Sequence, residues 1–393
     1  MAQSPGRKMQ RISTPEDCPM SASIGPLLAA DEFFNHQIVE THASVLQSDL
    51  SWTEKVCGMV CAPDGSLSIN FGMGKYVNRN VVDAYGGCSR GVEQWTVRAS
   101  RSLSSAPNDV NAGPLEYEVL EPLKRVRIRM QANEVQPLSY ELELTGELPC
   151  VVEEREDRRM TTGYRRSADQ IRYHQIGCAD GWIELQGRRI EVRDWVMTRD
   201  HSWGLRPSVG QPASDVQPDP MDALAPHIFA LWSPVRFKAA DGRTWGFFQY
   251  LLRYAGEGWS HERVQGGFEY ADGRRVLLRK VEPKLKFDPR NQRLLGGSMA
   301  ITLADGSVRE LRVQVLGDTG FHLGAGLYHG FEGHHHGQWR GESHLEGEYF
   351  ADCSSPESVQ RLNQFRDCLI ALHDDVEGAT GIGNCQTWVH GTV

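Results

Sequence analysis

The sequence predicts an all-β protein built as two antiparallel barrels or sandwiches in tandem, and three observations predict it. Short segments of alternating character recur along the chain, as in "RVRIRM", where Val126, Ile128 and Met130 fall on one face and Arg125, Arg127 and Arg129 on the other. Asp-Gly pairs at Asp64-Gly65, Asp180-Gly181, Asp241-Gly242, Asp272-Gly273 and Asp305-Gly306 suit tight hairpin turns, which favours antiparallel pairing over crossover helices. The length of 393 residues exceeds the usual single domain, so two cores are expected.

Taken in order, residues 1–30 carry basic side chains but no apolar stretch of signal-peptide length, and read as a disordered leader on a cytoplasmic protein. From Glu54 to Val196 come "SLSINFG", "EQWTVRAS", "LEYEVLEP", "LSYELELTG", "RYHQIGCA", "GWIELQG" and "RRIEVRDWV", the strands of a first unit over residues 31–208. The Pro- and Asp-rich run that follows reads as a linker over 209–225. A second unit over 226–393 then supplies about as many strands, among them "HIFALWSPVRF", "TWGFFQYLLRYA", "SVRELRVQVLG" and "GESHLEGEYF". Near the end, "SPESVQRLNQFRDCLIALHDD" reads as a helix, capped by Ser355 with Pro356 at its first position and Glu357 in its first turn.

Composition narrows the function. A formal net charge of -9 argues against the basic surface of a nucleic-acid binder, and no apolar run approaches the length needed to span a bilayer. Nine cysteines, an odd number without paired spacings, are expected to be free thiols; Cys57 and Cys61 would share one face of a strand without forming a redox motif. The GxSxG elbow, the Rossmann glycine pattern, the Walker loop and the zinc deaminase signature are all missing from the sequence, which disfavours nucleotide-driven chemistry.

Four constellations could carry chemistry. The densest is "MTRDHSWGLRP", in which Arg199, Asp200, His201, Trp203 and Arg206 crowd together where the chain is expected to leave the first unit, near a barrel mouth or domain interface. A desolvated Asp200 beside an indole would suit a general acid, whereas Arg199 or Arg206 close by would hold it ionised. The alternative is a structural knot at the barrel end. In the second, "LYHGFEGHHHGQWRGESHLEGEYF", His334 and His336 would share one face if the segment were a strand, and Trp339 lies close by. They could bind metal, act as bases or hydrogen-bond partners, or simply be solvated. The third is the aromatic density around Trp232 and "TWGFFQYLLRY", where alternation sets Trp245, Phe247 and Gln249 on one face and Phe248 and Tyr250 on the other. Most of these are core, with Gln249 either a ligand contact or a satisfied amide. The fourth, "GMGKYVNRNVVDAYGG", reads as a tight loop with Asn78 and Asp83 at a polar pocket rim.

These stretches, together with "FNHQIVETHASVLQSDLSWTEKV", "WTVRASRSL" and "GPLEYEVLEPLKRVRI", resemble the bacterial proteins grouped with AttH and carotenoid 1,2-hydratase, over roughly Asp31 to Phe350. The hallmark is the Asp-His-Ser-Trp-Gly run. The resemblance implies two lipocalin-like (calycin-like) barrels packed in tandem, and a group that includes hydratases and cyclases of apolar natural products. It maps an acidic residue and a tryptophan onto Asp200 and Trp203.

The expectation is therefore a hydratase, dehydratase, isomerase or cyclase needing no cofactor, acting on an apolar terpenoid, steroid-like or polycyclic molecule. Asp200 would be the acid, His201 or a histidine from 334 to 336 would orient water, and Trp203 with Trp232 or Trp245 would shelter a cation. Arg199, Arg206, Trp232, Trp245, Gln249, Tyr250, His334, His336 and Trp339 would line the substrate. Against this stand a carrier of apolar ligands and, third, a metal enzyme built on His334 and His336. A homo-oligomer stays open.

Overall fold

The computed structural model describes residues 27–38, 45–159, 166–207, 209–211, 227–257 and 259–391. The expected leader up to residue 26 and the linker from residue 212 lie outside the described residues. The strands are β1 (Trp52–Cys61), β2 (Ser68–Tyr76), β3 (Val81–Arg90), β4 (Glu93–Ser102), β5 (Leu115–Glu121), β6 (Arg125–Met130), β7 (Leu138–Gly146), β8 (Val151–Val152), β9 (Glu156–Arg159), β10 (Arg166–Leu185) and β11 (Arg188–Leu205). There follow β12 (His227–Lys238), β13 (Thr244–Gly256), β14 (Trp259–Tyr270), β15 (Arg275–Phe287), β16 (Leu294–Leu303), β17 (Val308–His322), β18 (Ser343–Phe350), the helix α1 (Pro356–Arg361), β19 (Arg366–Asp374) and β20 (Ala379–His390).

Two all-β bodies result, as the alternation predicts. The first is a curled twelve-stranded antiparallel sheet in the order β18-β4-β3-β2-β1-β11-β10-β7-β6-β5, with β8 and β9 also on β10; the second is a closed barrel of β12 to β17 with β19 and β20. The edge strand β18 comes from the second half of the chain and pairs with β4 along its length.

Four of the five Asp-Gly pairs sit in hairpin turns. The fifth, Asp180-Gly181, falls inside the long strand β10, where the register to β11 shifts. Gly181 has φ 141° there, and a Cβ would stand 2.1 Å from the Glu141 carbonyl oxygen, so this glycine serves a bulge. The turn itself is Gln186-Gly187, both at positive φ.

Two further expectations need correction. The helix after Ser355 stops at Arg361, although the cap is as read, with the Ser355 side chain accepting from the Ser358 amide. Arg366–Asp374 is a strand. Its near-continuous apolar run arises because both faces are covered: Cys368, Ile370 and Leu372 fill the barrel, while Leu369 packs with Met59, Cys61 and Val196 of the sheet. The motif "RDHSWGL" is likewise no exit loop but the end of β11 itself, in register with β1 and β10 on either side.

Candidate active site at the barrel interface

Strand alternation decides which face each motif residue serves. In β11, Met197 belongs to the core of the sheet and Val196 to the cluster against the barrel. Odd positions therefore face the sheet's own core and even positions face the barrel. Arg199, His201 and Trp203 go inward; Asp200 and Ser202 go to the interface.

The inward set forms a closed network. Arg199 makes a bidentate pair with Glu32, at 2.6 and 2.9 Å, and its Nε donates to Gln175. Burial opposes ionisation of Glu32, but the Arg199 guanidinium overrides it and holds the carboxyl at about 2. His201 lies 3.2 Å from Glu54 and 3.2 Å from the Tyr173 hydroxyl, and Trp203 stacks on His36 with centroids 3.6 Å apart. His36 also bonds Glu54, which burial would neutralise but which the two imidazoles keep ionised. The donor atoms of His36, Glu54 and His201 lie within 4.8 Å of one another, so these residues could hold a metal. As found, hydrogen bonds satisfy each of them.

Asp200 sits on the opposite face, in a cleft between the sheet and the barrel. The sheet contributes Cys57, Gly58, Met59, Asn70, Tyr85, Thr198 and Asp200; the second half of the chain contributes Trp232, Leu323, Tyr328, Asp367, Asn384 and Gln386. The enclosed volume is about 10 Å3, room for about one water. Two carboxyls meet here. Asp367 is 2 % exposed and accepts from Asn70 Nδ2 at 2.7 Å and from Asn384 Nδ2. Its burial, helped by the Asp200 charge and opposed by the two asparagine amides, pushes its pKa up to about 7. Asp200 is also raised, by burial, against the pull of Arg172 and Arg206. Among the described residues neither carboxyl forms an ion pair: Arg199 is on the far face, and Arg206 donates to Ser202 Oγ at 2.6 Å.

Polar groups surround the cleft. His174, beside Asp200 across the β10–β11 ladder, lies between Glu153 and Glu269 at 3.3 and 3.1 Å and stacks on Phe248. Burial disfavours its charge, but the two carboxylates raise it to about 9. Trp232 donates from Nε1 to Glu153 at 3.1 Å, and Thr198 donates to Asn384 across the interface. Lys55, two residues before Cys57 on β1, donates to His336 Nε2 at 2.7 Å, and Asp83 lies 3.5 Å from His336 Nδ1.

The structure thus brings Asp200 and Trp232 together in the cleft, with Arg206, Tyr250 and His336 in its surroundings. Tyr250 faces Arg172, whose guanidinium lies 5.4 Å from its ring centroid. Trp245 stacks on Phe237 inside the barrel, and Gln249, fully buried there, donates to Met299. His334 and His336 lie in a loop and not a strand. The His334 ring meets Gln338 while His336 turns to Lys55, so the two do not converge. Trp339 is 49 % exposed. Of the two rim candidates, Asp83 reaches the Lys55–His336 group, while Asn78 donates to the Gln47 and Asp49 carbonyls.

Sequence reasoning missed Asp367, Lys55 and Tyr328. Asp367 was hidden by reading its strand as a helix. For Lys55 the signal was present: the alternation of "TEKVCGMVC" puts Lys55, Cys57, Met59 and Cys61 on one face.

Fold and cleft together define an all-β protein in which a curled sheet and a closed barrel enclose a buried polar cleft. Residues 27–391 match the model of DUF8625, a family of unknown function, and the chain belongs to that family. A putative AttH from Nitrosomonas europaea is similar over 85% of this chain and 92% of that chain, at 14% identity and a TM-score of 0.50, which shows the shared fold. Kievitone hydratase from Nectria haematococca is similar over 86% and 89% of the two chains at 9% identity and a TM-score of 0.42. CghA with Sch210972 is similar over 86% and 87% at 10% identity and 0.44. No curated protein matches the sequence. No helix among the described residues is long and apolar enough to cross a membrane.

Proposed function

We propose that the chain is a hydratase, dehydratase, isomerase or cyclase acting on an apolar small molecule of terpenoid, steroid-like or polycyclic kind in the cleft between sheet and barrel. The observation that carries this reading is the pair Asp200 and Asp367: two carboxyls from separate bodies, in one buried cleft, neither in an ion pair among the described residues. A carboxyl can deliver a proton to carbon only while it is protonated, and burial keeps both so over a wider pH range than an exposed aspartate. The rings of Trp232, Tyr85 and Tyr328 can shelter the cation that follows. The second carboxyl, ionised, can take a proton from water or return one, so acid and base are both at hand. Substrate enters by displacing side chains such as Leu323 and Tyr328, because the enclosed space holds no more than water.

A carrier needs no such convergence. Ionisable groups meet inside this cleft, and Asp200 is locked to neither arginine, which supports catalysis over simple binding.

The test is incubation with a mixed terpenoid, steroid and aromatic polyketide extract, followed by mass spectrometry and chromatography. A product shifted by one water, or an isomer of unchanged mass, supports the reading, and Asp200→Asn is then expected to lower turnover by at least about a hundredfold with the fold intact. A folded, fully active Asp200→Asn removes the acid role. A ligand recovered unchanged at one per chain favours the carrier.

A further inference from the structure

Lys55 raises a separate question. Its side chain is 1% exposed, and among the described residues its hydrogen-bond partner is an imidazole and not a carboxylate. A buried ammonium without a counter-ion is costly, so a chain that keeps one there gains something else by it. The amine lies 4.1 Å from the centroid of the Tyr328 ring, and Tyr328 lines the cleft and bonds Cys57. Behind the amine, His336 lies with Nε2 2.7 Å and Nδ1 3.3 Å from the Lys55 nitrogen, and Asp83 is 3.5 Å from Nδ1. Asp83 is fixed in turn by the Tyr76 hydroxyl at 3.1 Å and the Gly337 amide at 2.7 Å. An amine, an imidazole and a carboxylate in series repeat the logic of a nucleophile, its base and the group that orients the base.

We propose that Lys55 is a carbonyl-reactive amine that forms an imine with an aldehyde or ketone entering the cleft, with His336 as its proton carrier and Asp83 as the residue that positions His336. The Lys55 ammonium passes a proton to His336 Nε2, which burial and the Lys55 charge hold down at about 4, so the imidazole relays the proton and does not keep it. The free amine adds to the carbonyl carbon, and the C–N bond forms as the C=O π bond opens. Both protons that leave the nitrogen end on the carbonyl oxygen, carried by His336. That oxygen departs as water, leaving a protonated C=N bond to Lys55. Nothing is oxidised or reduced. Burial, eased by the nearby Cys57 and Asp83, lowers the amine to about 8, so at neutral pH the reactive form is on the order of a hundred times more abundant than in a free lysine. Asp200 and Asp367 exchange no proton in this step, although the Asp200 charge favours the Lys55 ammonium.

The test is reductive trapping of the full chain with propanal and sodium cyanoborohydride at neutral pH, with labelled peptides mapped by mass spectrometry. Exposed Lys124 and Lys238 are internal references. Lys55 is expected to gain one N-propyl group about tenfold or more faster than either. His336→Gln, which still accepts a hydrogen bond but carries no proton, should remove most of that advantage and leave the references unchanged. The trapping reads Lys55 alone and needs no hydratase substrate, so failure of the hydratase reading and failure of this one are distinguishable. Lys55 labelled no faster than Lys124, or not labelled at all, overturns the proposal. Equal rates in wild type and His336→Gln overturn the role of His336.

Discussion

Asp367 and His174 are both raised, the first by burial and the second by flanking carboxylates against burial, and they titrate in different windows. For Asp367 burial favours the neutral acid, so the folded state holds its proton up to about 7, against 3.8 for the ordinary carboxyl. Between those values the folded state binds more protons than the unfolded one, so stability falls as pH rises, by at most about 1.4 kcal/mol per unit. For His174 the two flanking glutamates win over burial and raise the imidazolium from 6.5 to about 9. Its contribution is complete below 6.5 and is lost as pH rises through 9. Urea unfolding from pH 5 to 9 should therefore show a declining midpoint in two stages. Asp367→Asn is expected to flatten the stage below pH 7, and His174→Gln the stage above it. An unchanged slope in either variant would show that the assigned group does not carry that stage.

At the scale of elements, β10 and β11 work on both faces at once. Their inward side chains hold residues 27–38 through the Arg199–Glu32 pair, and their outward ones meet the barrel through His174 to Glu269 and Arg172 over the Trp232 and Tyr250 rings. Both members of the Arg199–Glu32 pair are buried, at 2% and 0%. Arg199→Ala leaves the buried glutamate carboxylate without its cation, held only by the Tyr117 hydroxyl and the Leu123 amide. A loss of about 3–5 kcal/mol is expected, measured by denaturant titration at pH 7. A loss below about 1 kcal/mol would mean that the N-terminal segment is held chiefly by its apolar contacts, such as Phe34 against His201. The element scale also explains why "RDHSWGL" looked like one site. Five chemically rich residues adjoin in sequence, but a strand sends neighbours to opposite faces, so Asp200 faces the cleft and His201 and Trp203 stabilise the sheet.

The whole molecule behaves as one interlocked body. Strand β18 leaves the second half of the chain to complete the first sheet beside β4. Thr198 to Asn384, Asn70 to Asp367, Trp232 to Glu153 and Arg236 to Asp194 then tie sheet and barrel together. Far-ultraviolet circular dichroism and tryptophan fluorescence are expected to report a single coincident transition in urea, since the sheet lacks its β18 edge without the second half of the chain and buried side chains bridge the two bodies. Two separated transitions would show independent units. A fragment ending before His227 is expected to aggregate, because it exposes the β4 edge together with Met59, Cys61 and Val196.

The sequence by itself determined the all-β class, most of the hairpins and the cap at Ser355, because hydrophobic period and turn chemistry are local. It also made Asp200 and Trp232 stand out as chemistry-bearing residues. Only the tertiary structure decided that Asp200 belongs with Asp367 and not with His201 or Arg199. A carboxyl acquires its partners from strands far away in the chain, and "RDCLIALHD" reads as a helix until both of its faces are seen to be covered. Lys55, His336 and Asp83 were likewise legible as residues but not as a group, since their contact depends on how the loop after β17 folds back over β1 and β3. Local order follows from the pattern of side chains, whereas a site depends on which faces meet, and that is set by packing.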